Sequence, residues 1–272
     1  PRDVAVGPGG YIYVADTFNH RIQKFSHDGR FVGEWGEFGI VDAGELGLGM
    51  LNEPWGIAVD ADGFVYVADT WNHRVQKFTD DGVAIGTWGL FGNGLELENM
   101  WGPREVAIGP NGDVYVADTG NKRISVFSAG GLPIRQIGSG GFLEGQFDEP
   151  VGVAVREDGE VYVADAWNRR VQVFDAGGQY IRQWESLGWQ GESLDNKPYL
   201  AVDAMGRVIS SDPEGYQVLV WDESGELLEI WGQYGTDGSN FDLPTGIALD
   251  GEGGLYVMDS GNSRIMYFLL DD

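Results

Sequence analysis

Two short stretches of this chain set a cation beside an acid directly after a proline: Arg2-Asp3 follows Pro1, and Arg104-Glu105 follows Pro103. Carboxylates placed this way could serve as oxygen ligands for a hard cation, and guanidinium groups could grip a carboxylate or sulfate through paired N–H donors. The competing reading is that the arginines neutralise Asp3, Glu105 and their neighbours. Two carboxylates make an incomplete cation shell. Asn52, Asn99 and Asp148 could add oxygens, yet nothing in their spacing demands it, and no run of alternating Asp and Asn forms a calcium loop. Zero Cys removes thiolate nucleophiles, disulfides and Cys-ligated metal, and three His leave a serine nucleophile without an evident base. No metal or cofactor is therefore expected, with Asp3 and Glu105 as the residues to watch if one were held.

Those residues recur at one place in a repeated unit. Aligning the copies on a shared aspartate gives Asp16, Asp69, Asp118, Asp165, Asp212 and Asp259, spaced by 53, 49, 47, 47 and 47 residues. Each unit begins at a proline (Pro1, Pro54, Pro103, Pro150, Pro198, Pro244) and runs through an apolar stretch to a glycine turn ending at Gly10, Gly63, Gly112, Gly159, Gly206 or Gly253. The β-rich "VYVAD" stretch, a polar loop and an alternating "RVQKF" stretch follow, then a second glycine turn and a strand ending near Trp35, Trp88, Ile137, Trp184 or Trp231. Four antiparallel strands per unit, six times over, predict an all-β, six-bladed β-propeller, with repeats near 1–53, 54–102, 103–149, 150–197, 198–243 and 244–272 in one domain. The last repeat stops after its third strand. Either a completing strand precedes Pro1 in a longer parent chain, or blade six has three strands.

The words Asn19-His20-Arg21 and Asn72-His73-Arg74 carry a resemblance to NHL repeats, and the pattern extends along the whole chain. The resemblance implies a propeller of the kind that serves as an RNA- or protein-binding domain, a sensor domain or a metal-dependent lyase. The amidating lyases of similar form hold zinc through several inner-strand histidines. Here His27 falls in a glycine turn while His20 and His73 fall in inter-strand loops, so that chemistry is not expected. Residues that recur from copy to copy are read as architectural: Asp69, matched in all six, and Asn72, replaced by Gly215 in the fifth, as turn-formers, and Arg74, replaced by Gln217 in the fifth, as the bidentate partner of a carboxylate in its own or the adjacent blade.

Function is therefore sought where copies differ. The position after "DT" carries Phe18, Trp71, Gly120, Trp167, Glu214 and Gly261, and the position after each starting proline carries Arg2, Trp55, Arg104, Val151, Tyr199 and Thr245. Connections 37–53 and 90–102 are long and apolar, with Phe38, Leu46, Leu48, Met50, Phe91, Leu95, Leu97, Met100 and Trp101, reading as a lid or a partner-binding patch. The expectation is a monomeric, non-catalytic binding propeller using Arg2, Phe18, Trp55, Trp71, Trp101, Arg104, Trp167 and Tyr199 to hold a protein, peptide or saccharide. A calcium-dependent, lactonase-like hydrolase at the channel mouth and a structural spacer in an envelope or membrane-anchored protein are the alternatives.

A formal charge of -26 repels phosphate backbones, which argues against nucleic acid as a partner. The same charge suits an extracellular or cell-surface setting, although a cytoplasmic one fits as well. No apolar run is long enough to insert in a bilayer, so any membrane attachment would come through a longer parent chain.

Overall fold

The structure, a computed structural model, describes residues 1–42, 45–94, 96–186, 188–189 and 197–270; Leu95 lies outside the described residues. Five four-stranded antiparallel sheets and one three-stranded sheet follow one another in chain order. Blade two is representative: Pro54–Val59 lies innermost, then Val65–Asp69, Arg74–Phe78 and Ala84–Trp88 at the rim. Blade six contains Pro244–Leu249, Gly254–Asp259 and Arg264–Leu269. The ring closes where the amide of Gly246 donates to the carbonyl of Arg2 at 2.8 Å, joining the inner strands of blades six and one.

The core lies between sheets. The "YVA" strands are fully buried because both their faces meet neighbouring blades, which explains runs of apolar residues in place of strict alternation. Outer-strand tryptophans bridge forward: Trp35 packs 6.2 Å from Phe78, Trp88 6.3 Å from Phe127, and Trp231 4.7 Å from Phe268. Such pairs add about 0.5–1.5 kcal/mol each beyond area burial. On the glycine-turn face, cations reach the next blade's backbone, as Arg135 does to the Ala176 carbonyl at 2.8 Å and Arg182 to the Glu223 carbonyl at 2.9 Å.

The repeated Asp, Asn and Arg form a clamp. Asp118 Oδ2 accepts from Arg123 Nε at 2.9 Å and from Asn121 Nδ2 at 2.9 Å, while its Oδ1 accepts the Trp101 amide at 2.8 Å. Arg123 Nη2 then donates to the carbonyls of Asn99 and Glu96, at 2.7 and 3.1 Å. Arg74, Arg170 and Arg264 repeat this grip on the connection that arrives from the blade before. Arg74 meets Asp69 through Nε alone, so the bidentate carboxylate bond expected from sequence is replaced by one carboxylate contact plus main-chain carbonyls. In blade five Gln217 Nε2 donates to Asp212 at 2.8 Å, in place of the arginine Nε.

The clamp shapes the long connections. Residues Glu37–Phe38 pair in parallel with Met50–Leu51, and Leu90–Phe91 with Asn99–Met100. Each connection thereby drives one side chain between blades, and Leu51, Met100, Phe147 and Phe241 are fully buried. Met100, expected on an apolar lid or patch, is therefore core, whereas Phe38, Leu46 and Phe91 are exposed. Removing one clamp leaves a buried carboxylate uncompensated, so Arg123→Ala should cost about 3–5 kcal/mol in denaturant unfolding. Arg123→Lys should recover little of this, since one ammonium cannot reach a carboxylate and two carbonyls together. Wild-type stability in Arg123→Ala would show that the clamp is dispensable.

Candidate functional site

On the connection face, each blade's Asp is followed by a tight turn, such as Thr70–Asn72 and Thr119–Asn121, whose closing residue is left-handed. His20 and His73 close two of these turns at φ 55. His20 Nδ1 accepts the amide of Glu53 at 3.0 Å and His73 Nδ1 the amide of Gly102 at 3.0 Å. Both rings therefore act as braces that tie the turn to the incoming connection. Burial lowers the His73 pKa, in keeping with that role.

The same turns lift aromatic side chains to the surface. Trp71 stands 44% exposed and Trp167 50%, on blades two and four. Blade three carries Gly120 instead, and the reason is steric: a Cβ there would come 2.6 Å from both the Trp101 ring and its carbonyl. Trp101, 42% exposed and anchored through its amide to Asp118, thus occupies the space above the blade-three turn. Trp71, Trp101 and Trp167 together line a cleft of about 510 Å³, with Arg104, Lys122, Asp148 and Glu149 among its walls. Trp71 Nε1 donates to Glu53 at 3.0 Å, and Lys122 Nζ pairs with Asp148 at 2.6 Å.

Beneath the cleft, at the channel mouth, cations and rings alternate. The guanidinium of Arg2 lies 3.9 Å from the Trp55 ring centroid and that of Arg104 4.4 Å. Arg104 Nη1 binds Glu149 at 2.7 Å, and Lys197 Nζ lies 3.1 Å from the other oxygen of Glu149 and 5.3 Å from the Trp167 ring. Phe18 sits outside the cleft, 65% exposed and 5.5 Å from Arg2. Arg2, Trp55 and Tyr199 are buried and form floor, not rim. Of the eight ligand-binding candidates, the fold gathers Trp71, Trp101, Arg104 and Trp167 into the cleft.

Asp3 and Glu105 are buried at the starts of the inner strands Asp3–Val6 and Glu105–Ile108. Room for them comes from glycine: a Cβ at Gly246 would meet Asp3, and one at Gly56 would lie 2.6 Å from the Glu105 Cα. Asp3 Oδ2 accepts the Ile57 amide at 2.8 Å and Glu105 Oε1 its own following amide at 3.1 Å. Burial raises Asp3 to about 7, against the lowering effect of its amide donors. Burial also raises Glu105 well above the usual range, and the nearby charge of Asp3 adds to it. Burial likewise raises the Tyr199 hydroxyl, with Glu105 and Asp3 contributing. Among the described residues no group of three or more His, Cys, Asp or Glu is arranged to hold a metal ion, and the Asp3–Glu105 pair supplies two ligands only.

Glu149 and Lys197 did not stand out in the sequence. The available signal was position: the residues just before the starting prolines are Glu53, Gly102, Glu149, Lys197 and Leu243, of which three are charged. Glu53 and Glu149 hold positive φ of 49 and 61 there, and their carboxylates meet Trp71 and Arg104.

The NHL repeat profile matches residues 1–25, 51–78, 100–127, 147–174 and 241–266. The chain is an NHL-repeat β-propeller. A 49-residue part of this NHL propeller is 43% identical to the B-box type zinc finger protein ncl-1 of Caenorhabditis elegans, a stretch that is 18% of the chain and only 5% of that protein's length. Among solved structures it is similar to a gluconolactonase from Xanthomonas campestris (TM-score 0.70, 16% identity, 98% of this chain and 85% of that one). It is also similar to a catalytically inactive virginiamycin B lyase of Staphylococcus aureus with quinupristin (TM-score 0.64, 14% identity, 98% and 80%). A third likeness is to the Kuenenia stuttgartiensis hydrazine synthase (TM-score 0.66, 14% identity, 99% and 95%). At these identities the likeness is one of fold. No helix among the described residues is long and apolar enough to cross a membrane.

The buried acids give a pH test. Between the ordinary carboxylate pKa and about 7, the folded protein binds more protons at Asp3 and Glu105 than the unfolded chain does, so their contribution to stability falls as pH rises. Glu105→Gln should therefore gain stability relative to wild type as pH goes from about 5 to about 8, followed by denaturant unfolding at each pH. A difference that does not change with pH would refute the buried-pair assignment.

Proposed function

We propose that this propeller is a binding module, and that its ligand, a protein segment, peptide or saccharide, is held in the cleft between blades two and four. The observation that carries the reading is the convergence of Trp71, Trp101 and Trp167 on one cleft beside Arg104, with all three indoles substantially exposed in so acidic a chain. Its volume of about 510 Å³ falls within the range of small-molecule and peptide clefts, roughly 300–1,000 Å³. Exposed indoles at the centre of an interface are the residues most often found to dominate binding energy. The working site is an extracellular or cell-surface one, in keeping with the charge of -26.

A lactonase-like hydrolase has less to support it. Asp3 and Glu105 are the carboxylates such an enzyme would use, and both are buried beneath the cation-aromatic layer. The test is Trp71→Ala combined with Trp167→Ala, examined on peptide and glycan arrays. Binding should weaken at least about tenfold, the usual cost of truncating an aromatic anchor. Melting should move by no more than about 4 °C, as for exposed positions away from the core. A large melting shift would instead mark the two indoles as parts of the packing.

A further inference from the structure

Blades two and three together fasten the short segment that carries Trp101 into the cleft. From blade three, Arg123 Nη2 donates to the Asn99 carbonyl at 2.7 Å, Asp118 Oδ1 accepts the Trp101 amide at 2.8 Å, and the Gly120 amide donates to the Trp101 carbonyl at 2.8 Å. From blade two, His73 Nδ1 accepts the Gly102 amide at 3.0 Å and Thr70 Oγ1 donates to the Pro103 carbonyl at 2.8 Å. Gly102 is buried and stands between Trp101 and Pro103-Arg104, so its anchorage bears on two residues of the cleft. The ring that anchors it also meets the aromatics. His73 closes the turn that lifts Trp71, its ring centre lies 6.4 Å from that of Trp71 and 4.5 Å from that of Phe91, and Phe91 in turn lies 6.4 Å from Trp101.

We propose that His73 is an acid-sensitive latch on the cleft: in mild acid it takes up a proton at Nδ1, releases the Gly102 amide and lets the Trp101 wall come away. An imidazole nitrogen accepts a hydrogen bond only while it carries no proton, and a protonated Nδ1 is a donor facing a donor. The buried amide is then left without a partner, and the segment regains one by moving toward water. The charged groups on the surrounding elements are Arg74, committed to Asp69 and main-chain carbonyls, Glu53 on Trp71 Nε1, Arg104 on Glu149, Lys122 on Asp148, Asp118 on Arg123 and Asn121, and Glu96 and Glu98 on the connection itself. Burial is what lowers the His73 pKa, and none of these charges opposes it. The closed arrangement thus favours the neutral ring; it holds above the ordinary imidazole value of 6.5 and is progressively lost as pH falls below it. Release of a held ligand in acid would follow, a consequence that rests on the binding reading above, whereas the latch itself does not.

The test uses the whole ligand-free chain. Nitrogen-15 NMR follows the protection factor of the Gly102 amide against hydrogen exchange, and the indole N–H signal of Trp101, from about pH 7.5 to about pH 5. In the wild type, Gly102 protection should fall about fivefold as the His73 ring titrates, with the Trp101 signal moving in step. His73→Gln keeps an acceptor that does not titrate, so its profile should stay flat. His73→Lys offers a standing cation and no acceptor, so protection should be low already at neutral pH. The turn accepts such side chains, since Lys122 and Arg169 close the equivalent turns of blades three and four at φ 56 and 51. A flat wild-type profile over this range would overturn the proposal. So would an equal loss in His73→Gln, which would place the transition at Asp118, or wild-type protection in His73→Lys at neutral pH. With no ligand present, these outcomes leave the binding reading to the array experiment above.

Discussion

One buried carboxylate per blade organises the molecule. Asp69, Asp118, Asp165 and Asp259 each take a backbone amide from the connection before their blade, at 2.6–2.8 Å, together with an asparagine amide and an arginine Nε. Burial alone pushes these groups toward the neutral form, and Asp69, Asp118 and Asp165 all show pKa values raised by it. The donors around them oppose that cost and make the negative charge tolerable inside the ring. Everything on the connection face hangs from this arrangement, because the amide the aspartate captures belongs to Asn52, Trp101, Asp148 or Asp242, two residues before a starting proline.

The cleft follows from that placement. Trp101 is held by its main chain, so its indole is free to rise above the blade-three turn, and Gly120 clears the way. Trp71 and Trp167 stand on equivalent turns of the neighbouring blades, which sets three indoles along one wall without any of them being needed for the core. The residues after the prolines turn inward, and there Trp55 carries two guanidiniums while Glu149 joins Arg104 to Lys197. Three cations, Arg2, Arg104 and Lys197, are thereby placed at the channel mouth together with Glu149, Asp3 and Glu105, close to where the surface aromatics gather.

The ring itself was legible because it is written six times: turn glycines, apolar strands and the Asp-Asn-Arg word sit at fixed intervals, and repetition separates them from chance. Half of the candidate site was legible for the opposite reason, since Trp71, Trp101, Arg104 and Trp167 stand where the repeats disagree. Position alone could not say that Trp55 and Tyr199 are buried, because burial at the channel mouth depends on residues of neighbouring repeats, as Arg2 and Arg104 on Trp55 show. The second residue after each starting proline alternates as Asp3, Gly56, Glu105, Gly152, Leu200 and Gly246, and the structure supplies the reason. Gly56, Gly152 and Gly246 each face a longer side chain or backbone from the next inner strand, a threefold rhythm inside a sixfold ring. The word Arg74 was read as a carboxylate partner, and only three-dimensional proximity shows that most of its donors go to main-chain carbonyls of another repeat.

That last feature bears on how such a surface can diversify. Arg74, Arg123, Arg170 and Arg264 grip carbonyl oxygens lying 24 and 27 residues earlier, and Asn72, Asn121, Asn168 and Asn262 grip another carbonyl of the same connection. A carbonyl oxygen is the same in every amino acid. In these four blades the scaffold therefore holds the connection through its main chain, and constrains side chains only at the apolar residue it buries and at the glycines, such as Gly36 and Gly39, where a Cβ would clash. New residues can be tried at the exposed positions of a connection without renegotiating the fold, so the chemistry of this face and the integrity of the ring are free to vary independently.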